Sequence, residues 1–369
     1  MKPVTIETEA VRLRVLRDDD AGDIEVACSD PETQRFLHFL PHPYTRADAL
    51  SWIREGAPAQ FATGGASYAI ADPATDRLLG TVGLHHVDPS RAQGEVGYWV
   101  APWARGRGVA RAAVRAIAAH AFGEGLARLE ALVEWENAKS MRVLLAAGFG
   151  REGVRRAASA GRDGTRHDLV ALVRLADDRE EPVARALPDL PGGALTDGVV
   201  TLRRLGPDDA DFYHDLLNTP DIVATMVPPV PPDRDEIRMR CGRAEAHWLF
   251  GDRADLVIVD APSGRPAGEI GLYYQEPATG QAMIGYAVAD EFRGRGFATR
   301  ASVLVARWAF AETGIKRLIA GTNPTNTGSQ RVLAAAGFLR EGYQRSRLPG
   351  IAGGRIDDVL WALLPQDLR

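Results

Sequence analysis

The sequence predicts an α+β fold made twice over: two tandem domains, each a mixed, mainly antiparallel sheet flanked by helices. Three observations predict it. The stretch Arg105-Gly106-Arg107-Gly108-Val109-Ala110 recurs as Arg293-Gly294-Arg295-Gly296-Phe297-Ala298. Each copy follows a strand-like run, Gly97-Tyr98-Trp99-Val100 or Gly285-Tyr286-Ala287-Val288, and precedes an Ala-rich apolar segment free of Pro and Gly, so both read as loops that open a helix. Finally, 369 residues exceed the usual size of one hydrophobic core and suit two.

At the same spacing, or one residue more, further matches appear on either side of the loops, as a duplication requires. Val11-Arg12-Leu13-Arg14-Val15-Leu16 corresponds to Val200-Thr201-Leu202-Arg203-Arg204-Leu205, each followed by an acidic helix start. Gly80-Thr81-Val82-Gly83-Leu84 corresponds to Gly268-Glu269-Ile270-Gly271-Leu272, and Asn137-Ala138-Lys139-Ser140 to Asn326-Thr327-Gly328-Ser329. Ala147-Gly148-Phe149 pairs with Ala336-Gly337-Phe338. Between the copies lies a charged, Pro- and Gly-rich stretch that cannot continue a sheet and predicts a stiff connector. The expected division is therefore a domain over 1–176, a linker over 177–194 and a second domain over 195–369.

Within the first half, a strand (11–16) leads to an acidic-capped helix (about 18–29) and a second helix (about 46–55). Strands at 67–70, 78–84 and 95–100 read as a meander, with Asp72-Pro73 and Asp88-Pro89 marking its turns. The loop and its helix (108–122), a strand (129–133), a helix (138–147) ending at Gly148 and two last strands complete the unit.

Composition narrows the function classes. With 45% hydrophobic and 25% charged residues the chain is globular, and a net charge of −5 gives no footprint for nucleic acid. The first residues lack an apolar signal core and no stretch is long and apolar enough to span a bilayer, so the expectation is a cytoplasmic protein without a membrane partner. Cys28 and Cys241 stand in unrelated contexts, and the eight histidines include His85-His86 but no helical His-x-x-x-His. No metal is expected. Oligomeric state is not legible.

The repeated loop points to a phosphate ester. Two glycines let the main chain approach a ligand closely, and the free amides and positive end of the following helix attract phosphate oxygens. A dinucleotide fingerprint would need a third small residue where Arg111 and Thr299 stand, and no Gly-x4-Gly-Lys-Ser/Thr occurs. What remains resembles the Gln/Arg-x-x-Gly-x-Gly/Ala signature of the GCN5-related N-acetyltransferases (GNAT). The run Gly97 to Gly108, the Asn-x-x-Ser before a helix and the Gly-Phe after it are similar to the branch containing the ribosomal-protein N-terminal acetyltransferases. The second half departs where Ala287 and Ala289-Asp290 replace Trp99 and Ala101-Pro102.

That resemblance implies an acetyl-CoA-dependent transfer to an amine acceptor, a small molecule or a protein N-terminus, and it implies roles for particular residues. The pyrophosphate would lie on Arg105, Gly106, Arg107, Gly108, Val109 and Ala110, and on Arg293, Gly294, Arg295, Gly296, Phe297 and Ala298. The acyl arm would follow the main chain at Val100 and Val288, where a neighbouring strand diverges, and would meet Asn137 and Asn326. Both asparagines also suit helix N-caps. Ser140 and Ser329 are the candidates for protonating the departing thiolate, chiefly by hydrogen bonding, since a serine is a far weaker acid than a thiol. Glu95 is the candidate base for the amine, with Glu134 and His85-His86 in reserve. In the second half Met283 replaces Glu95, leaving Glu269 as the reserve carboxylate, so the first half is expected to do most of the chemistry. Acidic walls around the acceptor site would indicate a cationic small molecule. The rival reading is a catalytically silent acyl-CoA-binding module.

Overall fold

The computed structural model describes residues 1–350 and 353–368. It divides into two compact units, Met1–Ala184 and Arg185–Arg369. The boundary falls inside the stretch expected as a linker: its first residues stay with the first unit, while Leu187 and Leu190 are buried in the core of the second.

The first unit is built on eight strands, β1 (Ile6–Glu7), β2 (Arg12–Arg14), β3 (Ala66–Ala71), β4 (Leu78–Asp88), β5 (Gln93–Val100), β6 (Arg128–Glu134), β7 (Gly150–Ala160) and β8 (Arg166–Leu175). They lie in the order β1-β2-β3-β4-β5-β6-β8-β7, antiparallel except for the parallel pair β5–β6. The helices are α1 (Ala21–Ser29), α2 (Pro31–Phe36), α3 (Arg46–Ser51), α4 (Ala57–Ala62), α5 (Val109–Gly123) and α6 (Ala138–Ala146). α5 and α6 pack on one face of the sheet, and α1, α3 and α4 gather on the other. Period-2 alternation assigns the faces: Ala131 and Val133 of β6 turn into the α5 side, and Glu130, Leu132 and Glu134 turn away from it. α5 buries a stripe of Ala and small aliphatic residues (Ala113, Val114, Ile117, Ala121), whose small side chains bring the helix close to the sheet.

The second unit repeats this plan with β9 (Ala194–Thr196), β10 (Val200–Arg204), β11 (Arg253–Asp260), β12 (Pro266–Glu276), β13 (Gln281–Val288), β14 (Arg317–Thr322), β15 (Leu339–Pro349) and β16 (Arg355–Leu363). Its helices are α7 (Ala210–Leu217), α8 (Pro220–Val223), α9 (Arg234–Leu249), α10 (Phe297–Glu312) and α11 (Thr327–Ala335). Side chains keep the repeat too. Arg14 grips Asp20 with two hydrogen bonds of 2.8 Å, and Arg203 grips Asp209 at 2.8 and 2.6 Å, each fixing the turn that leads from strand to first helix.

Two departures from the sequence reading have local causes. The helix expected to stop near 55 continues to Ala62, because a widened turn over Trp52–Gly56 removes the helical bond that Pro58 cannot make. α2 was not foreseen. Asp30 caps it by accepting from the Thr33 amide at 3.0 Å, with Pro31 at its first position.

Candidate active site

Both glycine loops adopt one conformation. Gly106 and Gly108 have φ of +72° and +77°, Gly294 and Gly296 +71° and +78°, and the space where a Cβ would sit is open at all four. Gly108 and Gly296 are the left-handed N-caps of α5 and α10, so the first amides of each helix face outward without intrahelical partners. Val109 and Phe297 point their side chains into the cores and offer a ligand only their N–H groups.

The loop arginines divide. Arg105 donates to Asp30 (2.6 Å), Thr33 (2.8 Å) and the Val100 carbonyl (3.3 Å), so it ties the loop to α2 and to the end of β5. Arg293 likewise bonds the Val288 carbonyl at 3.0 Å and pairs with Asp221 and Asp290. Arg107 is exposed, 4.0 Å from Asp72, and Arg295 lies over the rings of Phe292 and Phe297. The backbone, with Arg107, is therefore the part of the first loop best placed for phosphate.

β5 pairs with β6 only over Gln93–Glu95 against Arg128–Glu130, and beyond Glu95 the two strands part. β13 and β14 part in the same way after Met283 and Ile319. One edge of each strand, up to Val100 and Val288, is left without a strand partner on that side. Beside the gap, Asn137 Oδ1 accepts from the Ser140 amide at 3.1 Å, and Asn326 from Ser329 at 3.0 Å, so both asparagines do cap their helices and keep their amide nitrogens to donate elsewhere. Ser140 Oγ lies 2.8 Å from the Tyr98 hydroxyl, and Ser329 Oγ 2.9 Å from that of Tyr286. The two tyrosines are candidate site residues that sequence reasoning missed. The signal was available, since Gly-Tyr precedes the loop in both copies. Burial raises the Tyr98 phenol above its ordinary range and brings Tyr286 up to about 12, so both stay protonated as hydrogen-bond donors.

In the first unit a cavity of about 1440 Å³ runs through the gap, from Ser140 and Tyr98 on one side of the sheet to the α1–α4 side. Its lining includes Asp48, Glu55, Glu95 and Glu134 and the aromatic rings of Trp52 and Trp99, with no Lys or Arg among the described residues. Glu95 sits 3.2 Å from His86 Nδ1. Glu134 Oε1 is 2.8 Å from His38 Nε2, and His167 stacks on His38 with ring centres 5.3 Å apart. Arg162, from the β7–β8 hairpin, donates to the carbonyls of Leu37, His38 and Leu40 and thereby fixes that wall.

An acetyltransferase (GNAT) domain model matches residues 10–150 and again 200–339. The chain belongs to the GNAT acetyltransferase family. It is 31% identical over 152 residues to the uncharacterized N-acetyltransferase YoaA of Bacillus subtilis (strain 168), covering 41% of this chain and 85% of that one. With the uncharacterized N-acetyltransferase p20 of Bacillus licheniformis it shares 30% identity over 159 residues, with the same coverage of 41% and 85%. Among solved structures, Mycobacterium smegmatis RimJ in complex with CoA-disulfide aligns at 26% identity and a TM-score of 0.41, covering 48% of this chain and 88% of that one. The ribosomal-protein-S5-alanine acetyltransferase of Vibrio fischeri aligns at 20% identity and a TM-score of 0.42, covering 48% and 98%. This GNAT protein is thus an acetyltransferase with two GNAT units. Among its described residues no helix is long and apolar enough to cross a membrane.

The corresponding face of the second GNAT unit is differently furnished. By strand register, Ser67, Thr81, His85 and Glu95 correspond to Asp255, Glu269, Tyr273 and Met283. There Arg240 of α9 donates to Asp255 (3.0 Å) and the Tyr273 hydroxyl (3.2 Å) and lies 3.6 Å from Glu269, to which Tyr213 of α7 donates. Arg253 approaches the other Asp255 oxygen at 2.8 Å. Burial raises the Glu269 carboxyl, opposed by Arg240, and pushes the Tyr213 phenol well up. Glu269 is thus a member of a buried ion network.

Proposed function

We propose that this enzyme transfers the acetyl group of acetyl-CoA directly to a cationic primary amine in a ternary complex, in the cytoplasm, and that the first unit performs the reaction. The observation that carries this reading is the single cavity that joins the Tyr98–Ser140 pair, through the strand gap, to an acidic, aromatic wall. Coenzyme phosphates would rest on Gly106, Gly108 and the amides of Val109 and Ala110, with Arg107 alongside and Arg105 holding the loop in place. The acyl arm would run along β5 towards Val100, with Asn137 donating to it. Acidic groups attract an ammonium ion, and aromatic faces favour it further. Held there, the amine nitrogen forms its bond to the acetyl carbon as the carbon–sulfur bond breaks. The Tyr98 phenol has one proton and two acceptors in reach, Ser140 Oγ at 2.8 Å and the Ser140 carbonyl at 3.1 Å; turned to Oγ, it leaves the serine proton free for the departing sulfur and polarises it.

The second unit supports a different reading. Its loop, Gly294, Gly296, Phe297, Ala298 and Asn326, repeats the coenzyme site, and Ser329 keeps its tyrosine. On the face that corresponds to the first unit's acidic wall, Arg240 pairs with Asp255, Tyr273 and Glu269. We therefore propose that this unit holds acyl-CoA without an acceptor.

Thiol release from acetyl-CoA, measured against diamines, aromatic monoamines and peptides with free N-termini, tests the main reading. Turnover with the small cationic amines is expected. Turnover with the peptides alone would redirect the acceptor to a protein N-terminus, and tight coenzyme binding without turnover on any amine would make the whole chain a binding module.

A further inference from the structure

Thirteen residues separate Gly83 from Gly97 in the chain's hairpin region, yet the two glycines are paired across β4 and β5, and one imidazole lies over both. A Cβ on Gly97 would come within 3.1 Å of His85 Nε2, and one on Gly83 within 3.3 Å of it, so the ring lies flat on the strand pair where neither strand has a side chain. His85 Nδ1 faces Gln60 Oε1 at 3.3 Å. An amide oxygen can only accept, which selects the Nδ1–H tautomer and leaves Nε2 with a lone pair. Nε2 has no protein hydrogen-bond partner among the described residues, and His85 lines the cavity that reaches Tyr98 and Ser140.

The second unit gives an internal control. Gly271 and Gly285 form the same seat, and Tyr273 lies on it, its ring 3.0 Å from where a Gly271 Cβ would be. Its polar end is taken by Arg240. The seat is therefore repeated while the group on it changes from a free proton acceptor to a phenol locked in an ion network.

We propose that His85 Nε2 is the proton acceptor for the attacking amine. The step rests on the amine reading above: the bound ammonium first gives one proton to solvent, and then, as the nitrogen–carbon bond forms and the carbon–sulfur bond breaks, a second passes from nitrogen to His85 Nε2 while the thiolate takes one from the Tyr98–Ser140 pair. Solvent carries off the imidazole proton and returns one to that pair, so the sum is ammonium plus thioester giving amide, thiol and one released proton. Glu95, opposite His85 in the register, sits at the end where β5 is still paired with β6 and is engaged by His86, whereas the His85 ring lies over Gly97, next to Tyr98. The titratable groups facing His85 are Glu95 on β5 and His86 on its own strand; Gln60 of α4 and Ser67 of β3 are neutral, and Glu55, Glu134 and His38 stand farther round the cavity. Burial lowers the imidazole from its ordinary range, with Glu95 opposing and His86 adding to the shift, which keeps the ring neutral and ready to accept at neutral pH.

The test uses the full chain, acetyl-CoA and whichever amine of the panel the unmutated protein acetylates best. H85Q is expected to lower kcat/KM by about 100-fold or more and to abolish the acid limb of its pH profile, while E95Q keeps that limb. H85A should recover part of its rate with added imidazole, a gain that repair of packing alone would not give. Rates in H85Q within a few-fold of the unmutated chain, or an acid limb that vanishes in E95Q, would overturn His85 while leaving the amine reading intact. No turnover by the unmutated chain on any amine overturns that reading and the base with it.

Discussion

The Ser140 and Tyr98 hydroxyls lie 2.8 Å apart and, in the proposed reaction, share the protonation of the departing sulfur. Replacing Ser140 with Ala removes the proton nearest the sulfur and is expected to lower kcat by about 100-fold with little change in KM for acetyl-CoA; Y98F, which leaves the serine in place, should lose less. Steady-state kinetics on the two variants checks the order, and an equal loss in both would show that they act as one unit. His85 also makes stability depend on pH. Because burial lowers its folded-state pKa, the unfolded chain binds a proton that the native chain does not once the pH falls below about 6.5. Stability of the first unit should therefore drop on acidification and level off above that pH, and H85Q should flatten the slope of urea midpoints measured between about pH 5.5 and about pH 7.5. At this scale the sequence was partly legible. Asn137 and Ser140 stood out because Asn-x-x-Ser opens a helix in both halves, but nothing along the chain shows that Tyr98 reaches a serine forty-two positions away. Nor does it show that Arg105 is drawn off by Asp30 and Thr33.

Strands and helices were easier to read than their junctions. The α5 stripe and the alternation of β6 are periodic and so visible in advance, whereas the continuation of α3 into α4 depends on the widened turn over Trp52–Gly56 that accommodates Pro58, and a proline in a helical run otherwise reads as a stop. The parting of β5 from β6 was expected only from the family resemblance, since the register after Glu95 is set by what packs on either face. The buried network between α7, α9, β11 and β12 is an element-scale device with an energetic consequence. Arg240 serves Asp255 and Glu269 together, so R240M would leave Glu269 buried beside Tyr213 with only the more distant Arg253 to offset its charge and should destabilise the second unit by about 3–5 kcal/mol. Adding E269Q to R240M should restore a large part of that loss, because a neutral amide has no charge to compensate. Chemical denaturation of the two variants checks both, and additive losses would mean that the residues do not interact.

For the molecule as a whole, the duplication was the clearest message in the sequence, because a repeat needs no knowledge of contacts to be seen. The repeat also let the halves be compared, and Met283 in place of Glu95 led to the expectation that they are unequal; what it did not reveal is that Arg240 gathers Asp255, Glu269 and Tyr273 on that face of the second unit. Calorimetry is expected to give about two coenzyme A per chain. G108E and G296E should each reduce that to one by placing a carboxylate against phosphate, and turnover should vanish only in G108E; loss of activity in G296E alone would reverse the division between the units. Each unit also carries one cysteine, Cys28 or Cys241, buried and with its thiol pushed up to about 12. Folded, neither competes with the released coenzyme for a disulfide reagent. Once a unit opens, its thiol becomes reactive, so labelling followed by peptide mapping turns this pair into two separate clocks, each timing the unfolding of its own half within a single intact chain.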